Sequence, residues 1–298
     1  MARIRIAVTG NNGQVVRSLV ERSAGTDSEV VCVGRPALDL GDPDTIDRAI
    51  GAAAVDVLVS AAAYTNVDKA ETEGDLADLI NARAPGLLAA RAKSLGIPLI
   101  HLSTDYVFDG TKSDPYNEQD PICPVNAYGR SKAAGERAVA SAHSRHVILR
   151  TSWVYSPFGR NFVQTMLEFA RKQDEVRVVA DQLGNPTAAA DIADGILAVA
   201  RNLAGGGNDE RYGTFHMTAA GATNWAEFAS AVLSASAERG GPSARVVPIA
   251  SAEYHTPARR PANSRLDCAK IARVHGVSLP QWRSSLGPCV ERILEQAA

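Results

Sequence analysis

Two hydrophobic rhythms alternate along the first half of the chain. Short apolar runs bounded by turn residues, at 4–9, 29–33, 55–60, 97–103 and 147–151, predict strands. The segments between them carry apolar residues three or four apart and predict helices at 14–23, 42–52, 69–94 and 126–141. Asp42 and Pro43 supply an N-cap and a first-turn proline for the second helix, and Pro85 marks a break in the third. Short buried strands separated by helices imply a parallel sheet covered on both faces. With right-handed crossovers, this points to an α/β fold built on a doubly wound, Rossmann-type sheet.

The second half is less regular. Helices are predicted at 162–172, 188–203 and 281–296, with another capped by Thr223 and running to 238. Strands are predicted at 213–217 and 246–249, and the glycine-rich stretch 205–208 reads as a surface turn. The expected organisation is a nucleotide-binding domain at 1–150, rejoined by part of about 176–218, with a smaller substrate-binding lobe at 151–298 interleaved with it.

A chain of 298 residues can form one large domain or two coupled ones. Its net charge of -2 gives no reason to expect nucleic acid or an anionic membrane as a partner. The N-terminal apolar run is strand-length, too short for a signal-peptide core, and no stretch is long and apolar enough to cross a bilayer. A cytoplasmic protein is the default expectation. Cys32, Cys123, Cys268 and Cys289 are far apart, which predicts reduced, mostly buried thiols rather than a disulfide framework or metal site. The histidines form no ligand cluster, and His101 reads as a core or strand-end residue.

Candidate chemistry begins at Thr9-Gly10-Asn11-Asn12-Gly13, between the first strand and the first helix. Glycines there permit a tight turn and let backbone N–H groups approach a pyrophosphate at the helix N-terminus. A third glycine, three residues after Gly13, would let the helix pack close to the strand; Val16 stands there instead. Val16 is therefore expected to push the helix outward or demand local repacking. The second strand ends Val33-Gly34-Arg35 with no carboxylate to read a ribose, so Arg35 is a partner for a 2'-phosphate and NADPH is favoured over NADH. A solvated surface arginine is the alternative.

Tyr128 and Lys132 lie four residues apart, on one face of a helix. Such a pair is common by chance, but Thr104 stands at the carboxyl end of a sheet strand, where ligands of such folds bind. Hydride delivery to a ketone builds negative charge on oxygen, which a nearby acid must neutralise. Moving a tyrosine from a pKa of about 10 to about 7 takes roughly 4 kcal/mol. One ammonium at about 4 Å, with an effective dielectric of about 20, supplies roughly that much. Lys132 is thus sufficient in principle, with Thr104 holding the carbonyl oxygen.

Longer motifs narrow the reading. They include Gly10-Asn11-Asn12-Gly13-Gln14-Val15, Asp39-Leu40, Ala61-Ala62-Ala63-Tyr64-Thr65-Asn66-Val67-Asp68, Ser103-Thr104-Asp105-Tyr106-Val107-Phe108 and Asn126-Ala127-Tyr128-Gly129-Arg130-Ser131-Lys132. Further on stand Arg150-Thr151-Ser152-Trp153-Val154-Tyr155, Asp181-Gln182-Leu183-Gly184-Asn185-Pro186-Thr187 and Arg260-Pro261-Ala262-Asn263-Ser264. Across nearly its whole length the chain resembles the extended short-chain dehydrogenase/reductases, and more narrowly the dTDP-4-dehydrorhamnose reductase family. The resemblance implies NADPH-dependent reduction of the 4-keto group of a dTDP-linked 4-keto-6-deoxy sugar. It implies Tyr128 as proton donor, Lys132 as its modulator and ribose ligand, and Thr104 as the hydroxyl that tunes it. Gly10, Asn11, Asn12, Gly13, Gln14, Val15, Asp39, Leu40, Ala62, Ala63 and Tyr64 are then expected at the cofactor. Thr104, Asp105, Tyr106, Tyr128, Trp153 and Arg260 are expected at the substrate, with Arg260 either on its diphosphate or in a structural salt bridge.

Some family members dimerise through magnesium held by glutamates. Two of those positions fall at Ser18 and Ala190, so no metal site and no magnesium-bridged dimer are expected, only a monomer or weak dimer. The resemblance leaves two other readings: a 4-ketoreductase or epimerase acting on another nucleotide deoxysugar, and a non-catalytic subunit like the regulatory partner of methionine adenosyltransferase. Intact Thr104, Tyr128 and Lys132 favour an enzyme.

Overall fold

The computed structural model describes residues 3–51, 54–206 and 209–297. The first half runs β1 (Ile4–Thr9), α1 (Gln14–Ser23), β2 (Ser28–Val33), α2 (Asp44–Gly51), β3 (Val57–Ser60), α3 (Gly74–Asp78), α4 (Ala84–Ser94), β4 (Leu99–Thr104), α5 (Ala127–Ala142) and β5 (His146–Thr151). These strands alternate between two buried faces. Ile6, Val8, Val57 and Val59 enter one core with Val16 and Leu19 of α1, whereas Ala7 and Leu58 enter the opposite core with α2, α4 and α5.

The second half continues with β6 (Val154–Tyr155), α6 (Phe162–Ala170), β7 (Glu175–Val179), β8 (Leu183–Gly184), β9 (Thr187–Ala188), α7 (Ala189–Ala204) and β10 (Gly213–His216). It ends with β11 (Ala219–Ala220), β12 (Thr223–Asn224), α8 (Trp225–Ala237), β13 (Arg245–Ile249), α9 (Ala269–His275), β14 (Leu279–Gln281) and α10 (Trp282–Ala297). α7 packs on α1, and β10 pairs with β5 as the last strand of a six-stranded parallel sheet ordered β2-β1-β3-β4-β5-β10. The order reverses between β1 and β3, so a crevice opens at their carboxyl ends. The remaining lobe builds its own core from α6, α8 and α10 around the parallel pair β7–β13, with Tyr155, Phe228 and Trp282 fully buried.

Several local expectations change. The helical region 69–94 is a 3-10 turn, α3, a π turn at Leu79–Arg83 and then α4. Pro85 is the cause: it has no N–H for the Asn81 carbonyl, four residues earlier, and that carbonyl presses against α5 where only Gly135 fits. A Cβ on Gly135 would lie 2.0 Å from the Asn81 oxygen. Asn224, not Thr223, caps α8, its side chain accepting from the Glu227 N–H at 2.8 Å, while the Thr223 hydroxyl bonds the Glu227 carboxylate. The four thiols are free, but Cys32 and Cys123 are exposed rather than buried, because β2 is an edge strand and Cys123 lies in a loop. The end of the expected helix at Ala52 and half of the expected turn at 205–208 lie outside the described residues. No helix of the described residues is long and apolar enough to cross a membrane.

Candidate active site

The crevice between β1 and β3 is built by backbone and small side chains. Gly10 leaves β1 with φ +99°, a conformation that disfavours any side chain. Gly13 then enters α1 in an extended conformation with no side-chain cap, and the first turn carries no acid. The orphan N–H groups of that helix are therefore available to an anion. The Thr9 hydroxyl accepts from the N–H groups of Ala61 and Ala62, both at 3.0 Å, and so ties the two strand ends together. Asn11 donates to the Arg35 carbonyl at 3.0 Å, in a seat that requires Gly34, whose Cβ would lie 2.7 Å from the Asn11 side chain. Gly10, Asn11, Asn12, Arg35, Asp39, Leu40, Ala62 and Ala63 line the resulting cleft of about 370 Å³.

Not every expected cofactor residue faces that cleft. The Val15 side chain joins the core and Gln14 accepts from the Ser156 hydroxyl at 2.8 Å, which leaves only their helix-start backbone near the loop. Tyr64 turns its phenol onto Glu73 at 2.6 Å, and that hydrogen bond pushes its pKa up to about 12. Arg35 is not a lone cation: it grips Asp39 through two contacts of 2.9 and 3.0 Å and holds that carboxyl below the usual range. Val16, expected to push the helix outward or demand repacking, is accommodated within the core. It is buried in the main core, with its Cγ2 3.7 Å from where a Cβ would stand on Gly10 or Gly13, an ordinary contact.

The groups expected to handle protons, Thr104, Tyr128 and Lys132, are carried beside this cleft by β4 and α5. Thr104 ends β4, and Asn126 caps α5 by accepting from the Gly129 N–H at 2.7 Å. Gly129 lets α5 start close against Tyr106, since a Cβ there would lie 2.2 Å from the Tyr106 carbonyl oxygen. This close start sets Tyr128 against Tyr106, ring edge to ring face at 6.0 Å, with the Thr104 hydroxyl beside its phenol. Lys132 is buried one turn on and donates to the Leu102 carbonyl at 2.7 Å. Burial lowers its pKa to about 8, against the opposing charge of Glu136. The expected fall of Tyr128 towards 7 is not found. Burial holds the phenol up at about 12, helped by the Asp105 charge and opposed by Thr104, because Lys132 directs its ammonium at Leu102. Tyr128 is thus a protonated acid throughout the neutral range.

Asp105, Tyr106 and Arg260 lie close to it. Asp105 accepts from the Thr104 hydroxyl at 2.9 Å, and burial pushes its carboxyl up to about 7 against the hydrogen bonds of Ser264 and Thr104. Arg260 makes the structural salt bridge of its two expected readings: one nitrogen grips Asp68 at 2.9 Å, while Nη1 is buried without a hydrogen-bond partner among the described residues. Trp153 follows β5 two residues past Thr151, which pairs with Thr104. Sequence reasoning missed Asn81, fully buried, which clamps Tyr64 through both backbone groups at 2.9 Å and reaches Ser131 of α5 at 3.0 Å. It also missed the buried pair of Glu136 and Arg150, which share contacts of 2.7 and 2.9 Å and take in Ser103 beneath Lys132. Glu136 stands four residues after Lys132, the one signal in the sequence.

The model of the RmlD substrate binding domain family matches residues 4–295. The chain belongs to this family. The dTDP-4-dehydrorhamnose reductase of Sinorhizobium fredii is 50% identical over 282 residues, 95% of each chain. Among solved structures, a dTDP-4-dehydrorhamnose reductase from Clostridium acetobutylicum superposes with a TM-score of 0.90 at 34% identity, covering 98% of this chain and 100% of the other. The Bacillus anthracis dTDP-4-dehydrorhamnose reductase, solved in complex with NADP, gives a TM-score of 0.88 at 32% identity over 99% and 100% of the two chains. Membership of the RmlD family thus spans both the six-stranded sheet and the lobe, rather than the nucleotide-binding half alone.

Proposed function

We propose that this chain is an NADPH-dependent reductase that converts dTDP-4-dehydro-L-rhamnose to dTDP-L-rhamnose. The observation that carries the reading is the meeting of Thr104, Tyr128 and buried Lys132 beside a cleft whose helix N-terminus has no side-chain cap. The cradle fits a dinucleotide. Backbone N–H groups at Gly13 and the start of α1 would hold the pyrophosphate, and Arg35 and Asp39 the adenosine end. When bound, the nicotinamide supplies the hydride that adds to C4 of the sugar.

The chain's own residues manage the other half of the balance. Thr104 orients the 4-keto oxygen, and Tyr128 breaks its O–H bond to give that oxygen a proton as charge builds there. A phenol with a pKa of about 12 stays loaded at neutral pH and is still a stronger acid than the nascent alcohol. Lys132 places a positive charge one helical turn away, where it favours the phenolate left behind. Asp105, Tyr106 and Trp153 border the sugar, and the unpartnered nitrogen of Arg260 receives a diphosphate oxygen. In this division, residues 1–150 with α7 and β10 form the cofactor domain and lend Thr104, Asp105, Tyr106 and Tyr128 to the sugar, and the rest of 151–298 forms the substrate-binding lobe, in a monomer or weak dimer.

The test is to incubate the protein with NADPH and dTDP-4-dehydro-L-rhamnose and assign the product by NMR. Stoichiometric NADPH oxidation with dTDP-L-rhamnose as product is the expected result. Oxidation only with a different dTDP-4-keto sugar would reassign the substrate. Product formed with no net NADPH consumed would mark an epimerase.

A further inference from the structure

Trp153 is the only residue other than glycine with positive φ among the described residues, at +46°. Bulky side chains rarely adopt this backbone, and where they do the surroundings must hold them. Two neighbours do so here. The Trp153 indole lies flat on that of Trp225, with centroids 3.5 Å apart and planes within 7°. Gly184 approaches the same indole so closely that a Cβ would stand 2.4 Å from its Cε2 and 2.6 Å from its Nε1.

Both neighbours belong to one small piece of structure. In the antiparallel pair β8–β12, Gly184 is opposite Thr223 and Leu183 opposite Asn224, and Trp225 follows directly as the first residue of α8. Behind Trp225, Phe162 at 4.6 Å and then Phe228 continue the aromatic contacts into the lobe core. On the other side, Leu183 exchanges backbone hydrogen bonds of 2.8 Å with Ala262 and Ser264, in the segment that carries Arg260. The slot is therefore anchored to the core at one end and to the substrate side of the site at the other.

We propose that Gly184 and Trp225 are positioning residues for the substrate, forming a slot that holds the strained Trp153 indole at the edge of the site. This rests on the reading of Trp153 as a substrate contact. A stacked ring gives one jaw, and the missing side chain at 184 gives the other. The substrate then meets an indole already fixed in place, so little ordering entropy is lost on binding.

The test combines steady-state kinetics with near-ultraviolet circular dichroism on Gly184→Ala, Trp225→Leu, Trp153→Ala and the double variant Gly184→Ala/Trp153→Ala. Gly184→Ala and Trp225→Leu should raise KM for the dTDP-sugar by about tenfold with kcat changed much less, and the NADPH Kd should stay at its wild-type value. Each should also lose the dichroic couplet of the stacked indoles while keeping far-ultraviolet helix content, which separates a moved ring from a misfolded lobe. In the Trp153→Ala background the Gly184→Ala penalty should shrink to less than about twofold, because the ring it would strike is gone. A raised KM in Trp153→Ala beside a wild-type KM in Gly184→Ala overturns the slot alone, as does a full additive penalty in the double variant. An unchanged KM in Trp153→Ala overturns the substrate role of Trp153 and the slot with it.

Discussion

At the scale of single residues, the buried Lys132 ammonium donates to the Leu102 carbonyl, two residues before Thr104. Burial, more than any neighbouring group, sets the pKa of the Tyr128 phenol. If Tyr128 is the proton donor, Tyr128→Phe should lower kcat by about 10²- to 10⁴-fold, while a fluorescence titration with NADPH shows a near-normal Kd. Near-normal turnover would remove Tyr128 from the mechanism. The Arg35–Asp39 pair makes a second residue-scale prediction. If Arg35 reads the 2'-phosphate, it must share its charge between that group and Asp39, so the preference for NADPH depends on both residues. Arg35→Ala should narrow the ratio of kcat/KM for NADPH over NADH, and Asp39→Asn should widen it. An unchanged ratio in Arg35→Ala would show that this arginine does not read the phosphate.

Elements matter where a helix must start in the right place. α1 delivers its N-terminus to the crevice because Val15, Val16 and Leu19 lie in the core shared with α7. Val16 takes the place a third glycine would hold and is buried in that core, with room left for a Cβ at Gly10 or Gly13. Val16→Gly should therefore lose about 2–4 kcal/mol of stability, from a buried side chain and a flexible helical residue together. Urea unfolding measures that loss, and calorimetry with NADPH should give an equal or higher Kd. A lower Kd in the variant would mean that the valine does hold the helix away from the phosphates. The same logic explains α5, whose start is set by the Asn126 cap and by the absence of a side chain at Gly129.

For the molecule as a whole, the return of α7 and β10 to the main sheet joins the two parts into one site rather than two beads on a string. It also bears on assembly. Ser18 is only 2% exposed, turned into the protomer, so it presents no oxygen ligand to a second copy. Among the described residues no group of three or more His, Cys, Asp or Glu side chains could hold a metal ion. Adding EDTA should leave the mass in light scattering unchanged, since magnesium needs several oxygen donors in near-octahedral geometry. A dimer lost on chelation would locate the metal at residues other than 18 and 190.

Periodicity and short motifs were enough for the sheet strands of the first half, the phosphate-type loop and the Thr104, Tyr128 and Lys132 trio. Each depends on residues close in sequence: alternation within a strand, glycines in one turn, a four-residue helical step. Of the lobe's short strands only β13 was legible in this way, from the expected strand at 246–249. β7, for instance, has only five residues, and its strand character depends on pairing with β13 some seventy positions later. Folding also reversed the expected direction of the Tyr128 shift, because desolvation depends on everything packed around a group and not on its nearest charge in sequence. Asn81 became visible only when the carbonyl freed by Pro85 met Gly135 across two helices. The slot of Gly184 and Trp225 around Trp153 draws on three separate segments. Local sequence thus set the elements and the candidate side chains, while long-range packing decided the protonation, the orientation and the strain of the groups they carry.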